Sequence, residues 1–306
     1  MTVLVTGASG FVGAQVVRQL VESDQEVVAL VRATSSRRRL DGIADRVKFI
    51  EADLDDTGDL AARLKQLKPA ACIHAAWYAE PGQYLPSPRN LDSLRSSLTL
   101  LEELALAGCK HVVGVGTCFE YDMGVQPLRE DSPTSPFTLY AACKLAFKLV
   151  AEQRAAQLEM GFAWARLFYL YGPREDERRL VPAAIKALRE GDKFPTTSGR
   201  QIRDYLHIAD VASGLCALSA ARAVGTFNVC SSAPATIAEL VETIGRLLDR
   251  RDLIRLGAYP DRQWDPPEVV GDNSKLRAAT GWAPRYGIKD GLAQTIEAWS
   301  ALHPAR

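Results

Sequence analysis

The chain has 306 residues, and its 37 basic side chains are matched by 37 acidic ones, for a formal net charge of zero. That balance, without a long basic run, leaves no electrostatic footprint for nucleic acid and nothing addressed to an anionic membrane. No stretch is apolar for long enough to span a bilayer, the first strand begins at Thr2 with no room for a leader ahead of it, and the 6 cysteines are scattered without a Cys-x-x-Cys pair, so a cytoplasmic, reduced protein with no metal site and room for two lobes is expected.

Val3, Leu4 and Val5 read as a buried parallel strand that breaks into Gly7, Gly10 and Gly13. At this spacing a strand-to-helix turn brings its backbone against a pyrophosphate. A Cβ would clash with the ligand or the turn, and the N–H groups opening the next helix, around Ser9, Phe11 and Val12, face the anion. Val12, Val16, Val17 and Leu20 follow at helical spacing, and residues 26–31 supply a second strand, completing a βαβ unit. That strand runs out at Arg32 with no carboxylate before Asp41, and Arg37, Arg38 and Arg39 lie in the loop. An acid at the strand's end would hold the ribose hydroxyls of NAD, whereas arginine accommodates a 2′-phosphate. Arg32 therefore points to NADP(H) in preference to NAD(H).

The alternation continues with a strand at 47–50, a helix at 60–67, a strand at 71–75, a helix at 91–107 and a strand at 111–115. Such a pattern forms an α/β, Rossmann-type doubly wound parallel sheet, which binds ligands at the carboxyl ends of its strands. On that rule Asp53 and Leu54 sit beside the adenine, Ala75 and Ala76 line the path of the cofactor, and Thr117 is presented at the same edge. Tyr140 and Lys144 fall one turn apart on one face of a helix over 139–157. A free tyrosine, with a pKa near ~10, exchanges protons poorly at neutral pH, but a nearby ammonium favours its phenolate. The pair makes an acid/base device.

The Thr-Gly-x-x-Gly-x-x-Gly turn over 6–13, Thr117, and the Tyr-x-x-x-Lys of Tyr140 and Lys144 resemble the extended short-chain dehydrogenase/reductases, the epimerases, dehydratases and reductases of nucleotide sugars. Residues 166–173, the Arg203-Asp-Tyr-Leu-His-Ile-Ala-Asp-Val211 stretch, 225–229 and 281–284 are similar to that family's second half. The resemblance implies that Thr117, Tyr140 and Lys144 are catalytic, with Tyr140 and Lys144 also holding the cofactor, and that Phe168 touches the cofactor. It implies a cofactor lobe over 1–169 and a smaller C-terminal α/β substrate lobe over 170–306, with part of 203–230 returning to the sheet. Tyr169, Leu180, Val181, Arg203 and Arg262, with Thr117 and Tyr140, would take the substrate, a uridine or thymidine diphosphate sugar. The run Trp264-Asp-Pro-Pro267 either closes the pocket or is a plain linker. The helices over 91–107 and 139–157 would pair with their mates in a homodimer.

Family dehydratases carry an Asp-Glu pair directly after this threonine, because elimination needs a second acid and base. Here Cys118 and Phe119 stand there and Glu120 comes one position late, so 4,6-dehydration is not expected. What remains is NADPH-dependent reduction of a nucleotide-linked 4-keto-6-deoxyhexose. Two alternatives stay open: a 4-epimerase with tightly bound NAD, and a dinucleotide-binding regulatory module without catalysis.

Overall fold

In the computed structural model, which describes residues 1–262 and 265–303, the apolar runs of the N-terminal half become strands that need cover on both faces. The chain builds β1 (Val3–Thr6), α1 (Phe11–Glu22), β2 (Val27–Val31), β3 (Lys48–Glu51), α2 (Thr57–Leu67), β4 (Ala71–His74), α3 (Arg89–Leu106), β5 (His111–Thr117), α4 (Leu139–Gln157) and β6 (Gly161–Leu167) in turn. After β7 (Tyr169–Tyr171), α5 (Leu180–Glu190), β8 (Phe194–Pro195), β9 (Ile202–Arg203), β10 (Tyr205–His207) and α6 (Ile208–Ala220), strand β11 (Gly225–Val229) rejoins the sheet. The remainder is β12 (Ala235–Thr236), α7 (Ile237–Leu248), β13 (Ile254–Arg255), β14 (Glu268–Val269), α8 (Ser274–Thr280) and α9 (Ile288–Leu302).

Seven parallel strands lie in the order β11-β6-β5-β4-β1-β2-β3. From β1 the chain runs outward through β2 and β3, then crosses back to β4 and continues the other way, so the direction reverses on either side of β1. Such a switch point opens a crevice at the carboxyl ends of the strands. Val3 and Val5 turn to the face covered by α1 and α6, while Leu4, one residue out of phase, turns to the face covered by α2, α3 and α4. Two cores therefore sandwich the sheet, as the two-residue period of a strand dictates.

The smaller lobe packs α5, α7 and α9 around Tyr171, Ile185, Leu240, Ile244, Leu292 and Trp299. It is tied back by Asp204, a fully buried carboxylate between β9 and β10. Its Oδ1 accepts from Ser231 N at 2.7 Å and Ser231 Oγ at 2.6 Å, and its Oδ2 from Ser232 N at 2.9 Å and Gly271 N at 3.2 Å. Four donors satisfy one carboxylate and pin the segment after β11 and the segment after β14 to the same point.

Two glycines hold the β1–α1 turn closed. Gly7 has φ +64°, and a Cβ on it would stand 2.7 Å from both Ala75 C and Ala76 N. A Cβ on Gly13 would overlap the Gly7 carbonyl, with Gly7 C at 2.7 Å. The third glycine is thus required by the docking of α1 on its own turn, whatever the ligand. Gly13→Ala is expected to destabilise the ligand-free protein by about 1–3 kcal/mol through this overpacking, read as a lower midpoint in thermal or urea unfolding without any nucleotide present.

Candidate active site

At the switch point, Gly10 N–H donates to Gly7 O at 2.9 Å, and the first hydrogen bond of α1 comes from Ala14 N–H to Gly10 O at 3.0 Å. The N–H groups of Phe11, Val12 and Gly13 precede it and have no acceptor within the helix. Ser9, Gly10, Phe11 and Val12 are only half-buried around the mouth of this turn. The backbone behind it is locked from the β4 side, where Thr6 Oγ1 bonds His74 Nδ1 at 2.7 Å and accepts from Ala76 N at 3.3 Å, and His74 Nε2 meets Ser97 Oγ at 2.8 Å. Burial lowers the His74 pKa to about 3, so the ring is a neutral strut. A close-approach cradle that no side chain can fill, backed by open helix N–H groups, fits the pyrophosphate of a nicotinamide dinucleotide.

Farther along the crevice, Asp53 is exposed with its Oδ1 accepting from Asp55 N at 3.2 Å, and Leu54 packs on the α2–α3 core. Arg32 is exposed just past β2. The chain provides no acid at the end of β2 itself, but the sheet does: Glu51 of β3 stands in register with Val31. That carboxylate is engaged by Arg37, which also lies over the Phe49 ring at 4.6 Å. Register between strands placed it there, out of reach of any reading of β2 alone.

The reaction end is built on the exit of β5. Thr117 is the last residue of the strand, and its Oγ1 accepts from Phe119 N at 3.3 Å. The chain then leaves in a 3-10 turn that swings Glu120 under the strand, where it is fully buried. Glu120 Oε1 accepts from Thr117 N at 2.9 Å, and its Oε2 accepts from Arg166 Nε at 2.8 Å and Trp164 Nε1 at 3.0 Å. Its carboxylate is consumed in the support of Thr117 and is not in the cleft.

From α4, Tyr140 and Lys144 come to the same point. Burial, with Tyr84, Glu120 and Cys118 nearby, pushes the Tyr140 phenol up, and the Thr117 side chain opposes this only in part. Lys144 is buried, donates from Nζ to Val115 O at 2.6 Å, and lies 3.9 Å from the Trp77 ring centroid and 6.0 Å from that of Tyr140. Burial lowers its own pKa to about 7, although Glu120 opposes this. The sequence-based expectation that the ammonium holds Tyr140 toward phenolate is therefore corrected for this structure: desolvation dominates both groups, and the tyrosine is a proton-bearing phenol.

On the substrate side, Tyr169 is half-buried against Phe119 at 6.1 Å and Tyr205 at 5.7 Å between ring centroids, and Phe119 meets the exposed Phe137 at 5.7 Å. Arg203 lies over Tyr169 at 5.3 Å, but its charge is committed to Asp265 at 2.7 Å. Phe168 is in a core with Cys118, Tyr121, Leu128, Cys230 and Val269, and Val181 is in the core of the smaller lobe, so their side chains face away from a ligand. Leu180 is half-buried at the start of α5, and Arg262 is exposed. Trp264 lies outside the described residues. No motif or spacing marks Tyr84, whose ring meets Tyr140 edge-on at 4.9 Å, or Arg179, 5.4 Å above Tyr84.

The buried lysine has a cost in the empty protein. An unfolded lysine stays protonated to about pH 10, whereas Lys144 in the fold loses its proton near about 7. Between those values the unfolded chain binds the extra proton, so this residue's contribution to stability is full above the upper value and is lost as pH falls toward the lower one. Lys144→Met is expected to raise the melting temperature of the ligand-free protein by a few degrees at about pH 6.5 and by less at about pH 9.5, while weakening cofactor binding. Melting curves at the two pH values, with and without dinucleotide, check this.

The model of the NAD dependent epimerase/dehydratase family matches residues 3–230. The UDP-glucose 4-epimerase of Lacticaseibacillus casei is 25% identical over 99% of this chain and 98% of that protein. The crystal structure of the UDP-glucose 4-epimerase of Thermotoga maritima with UDP-glucose superposes with a TM-score of 0.88 at 22% identity, covering 99% of each chain. The dTDP-glucose 4,6-dehydratase of Bacillus anthracis in complex with NAD gives the same TM-score, 0.88, at 22% identity over 99% of this chain and 97% of that one. With a family model spanning the cradle, the β5 exit and the Tyr-x-x-x-Lys helix, the chain belongs to the NAD dependent epimerase/dehydratase family, enzymes of the extended short-chain dehydrogenase/reductase type.

Proposed function

We propose that this site carries out redox chemistry at carbon 4 of a nucleotide-linked hexose, with Tyr140 as the proton carrier. The observation that supports this is the meeting of Thr117, Tyr140 and Lys144 beside the glycine cradle with no acid or base offered to it by the three residues after Thr117. Cys118 is buried with its thiol pushed up by desolvation, Phe119 is apolar, and Glu120 is spent on Arg166. A bound nicotinamide dinucleotide supplies hydride exchange with the reacting carbon. The Tyr140 hydroxyl then donates its proton to the carbonyl oxygen, for which the un-ionised phenol is the competent form. Thr117 Oγ1 hydrogen-bonds the same oxygen and steadies its developing charge. Lys144, titrating near neutrality, replenishes the tyrosine and holds the nicotinamide ribose.

Two outcomes of this chemistry compete. The relatives are named UDP-glucose 4-epimerases in the main, which favours 4-epimerisation with retained NAD and puts that reading ahead on the comparisons. The residues of the site favour net reduction of a 4-keto-6-deoxyhexose. The rings of Phe119, Phe137 and Tyr169 offer an apolar surface suited to a methyl at carbon 6, and Arg37 occupies the Glu51 carboxylate in register with the end of β2, which favours NADPH. The exposed Leu149 and Val150 of α4, beside the groove that Leu98 and Glu102 of α3 line, suit a homodimer seam.

Two measurements separate the readings. Given a nucleotide-linked 4-keto-6-deoxyhexose and NADPH, the reductase consumes NADPH one for one, followed by absorbance; interconversion of UDP-hexose epimers without net cofactor loss establishes the epimerase instead. In either case Tyr140→Phe is expected to lower turnover by roughly 10²–10⁴-fold with cofactor affinity nearly unchanged, and wild-type turnover in that variant removes Tyr140 from the mechanism. In direct titrations the dissociation constant for NADPH is expected to lie below that for NADH, and the reverse order rules out the NADPH preference.

A further inference from the structure

Three arginines from separate elements interlock where the loop after β2 meets the turn after β7. Arg18 of α1 donates from Nε and Nη2 to Arg39 O at 3.2 and 2.7 Å, and from Nη2 to Asp41 O at 2.7 Å. Arg39 donates from Nε to Arg174 O at 3.0 Å, and Arg174 returns a bond from Nη1 to Arg38 O at 2.6 Å. Each of these acceptors is a main-chain carbonyl. Among the described residues none of the three arginines has a carboxylate within 4.0 Å, whereas neighbouring Arg37, Arg46 and Arg178 are all paired with one. The acids that Arg18 and Arg39 feel at longer range are Glu22 and Asp41, and Asp176. Asp176 is itself held by Arg178 at 2.7 Å.

Like charges brought together without counter-charge cost free energy unless an anion joins them. Burial first, and Arg174 among the neighbouring charges, lower the pKa of both Arg18 and Arg39, as expected where positive groups crowd. Arg174 also holds φ +66°, a left-handed backbone that costs a side-chain-bearing residue of order 1–3 kcal/mol and collects at ligand clamps. In doubly wound sheets the adenosine ribose lies past the end of β2, which is where this loop begins.

We propose that Arg39 and Arg174, braced by Arg18, form an anion clamp across the two lobes whose ligand is the 2′-phosphate of NADPH. The proposal rests on the NADPH preference above and not on the reaction. Their Nε and Nη1 contacts to carbonyls orient the two forks, and the remaining N–H groups of each match phosphate oxygens. Because one fork comes from the cofactor lobe and the other from the turn that leads into α5, the phosphate also ties the substrate lobe down.

The test is calorimetric titration without any sugar nucleotide, using NADPH, NADH and adenosine 2′,5′-bisphosphate on the wild type, Arg39→Gln, Arg174→Gln and Arg32→Gln. Arg39→Gln and Arg174→Gln are expected to weaken NADPH and the bisphosphate by about 10- to 100-fold, a loss of about 1.4 kcal/mol per tenfold, and to leave NADH within about threefold. Retained NADH binding shows that the variants are folded. Equal losses for NADPH and NADH overturn the clamp, because the arginines then serve the loop or the shared pyrophosphate. Unchanged NADPH binding in both variants overturns it as well, and if Arg32→Gln alone erases the preference, the NADPH reading survives without the clamp. A wild type that binds NADH as tightly as NADPH removes both.

Discussion

One buried carboxylate governs the reaction end of this molecule. Glu120 is sealed from solvent, and an ionised group in that position is tolerable only when its hydrogen bonds are complete. It receives Arg166, the Trp164 indole and the Thr117 amide together. Space for the indole is made by β5 itself: a Cβ on Gly114 would come within 2.7 Å of the Trp164 ring, and one on Gly116 within 2.7 Å of Glu120 Oε1. Strand, turn and tryptophan therefore fit in one arrangement, and Thr117 is delivered to the crevice in a fixed orientation. The same charge favours the protonated form of Lys144, partly offsetting a desolvation that would otherwise discharge it.

That offset is incomplete, which places Lys144 close to neutrality and leaves Tyr140 as a phenol. Both departures come from the same cause, the removal of water from the base of the crevice. A site that excludes water strengthens every later electrostatic contact with a ligand and is destabilising until the ligand arrives. The hydrogen bond to Val115 O and the cation–π contact with Trp77 serve the ammonium in the meantime.

Ionic and hydrogen-bonded ties fasten the smaller lobe. Within the Arg203–Val211 stretch, Asp204 collects four donors, Arg203 pairs with Asp265, and the His207 ring caps α6 through Ala209 N at 3.3 Å. The residues of this family-like stretch thus do much of their service as fasteners of β9, β10 and the start of α6. On the other edge, the reciprocal contacts of Arg39 and Arg174 join the loop after β2 to the turn after β7.

The sequence by itself determined the parallel sheet, the glycine turn at its switch point and the shared face of Tyr140 and Lys144. These follow from local rules: a period of two in strands, 3.6 in helices, and the exclusion of Cβ atoms from a tight turn. The strand over 111–115 was read two residues short, and Thr117 proved to be its final residue. Only the tertiary structure decided where Glu120 turned, that Glu51 would stand beside Val31, that Phe168 and Val181 would point into cores, and that Arg174 would reach Arg39 from 135 residues away. It also reversed the expected direction for Tyr140. Each of these depends on which distant elements pack together and how much water they exclude, and neither quantity is written in the spacing of neighbouring residues.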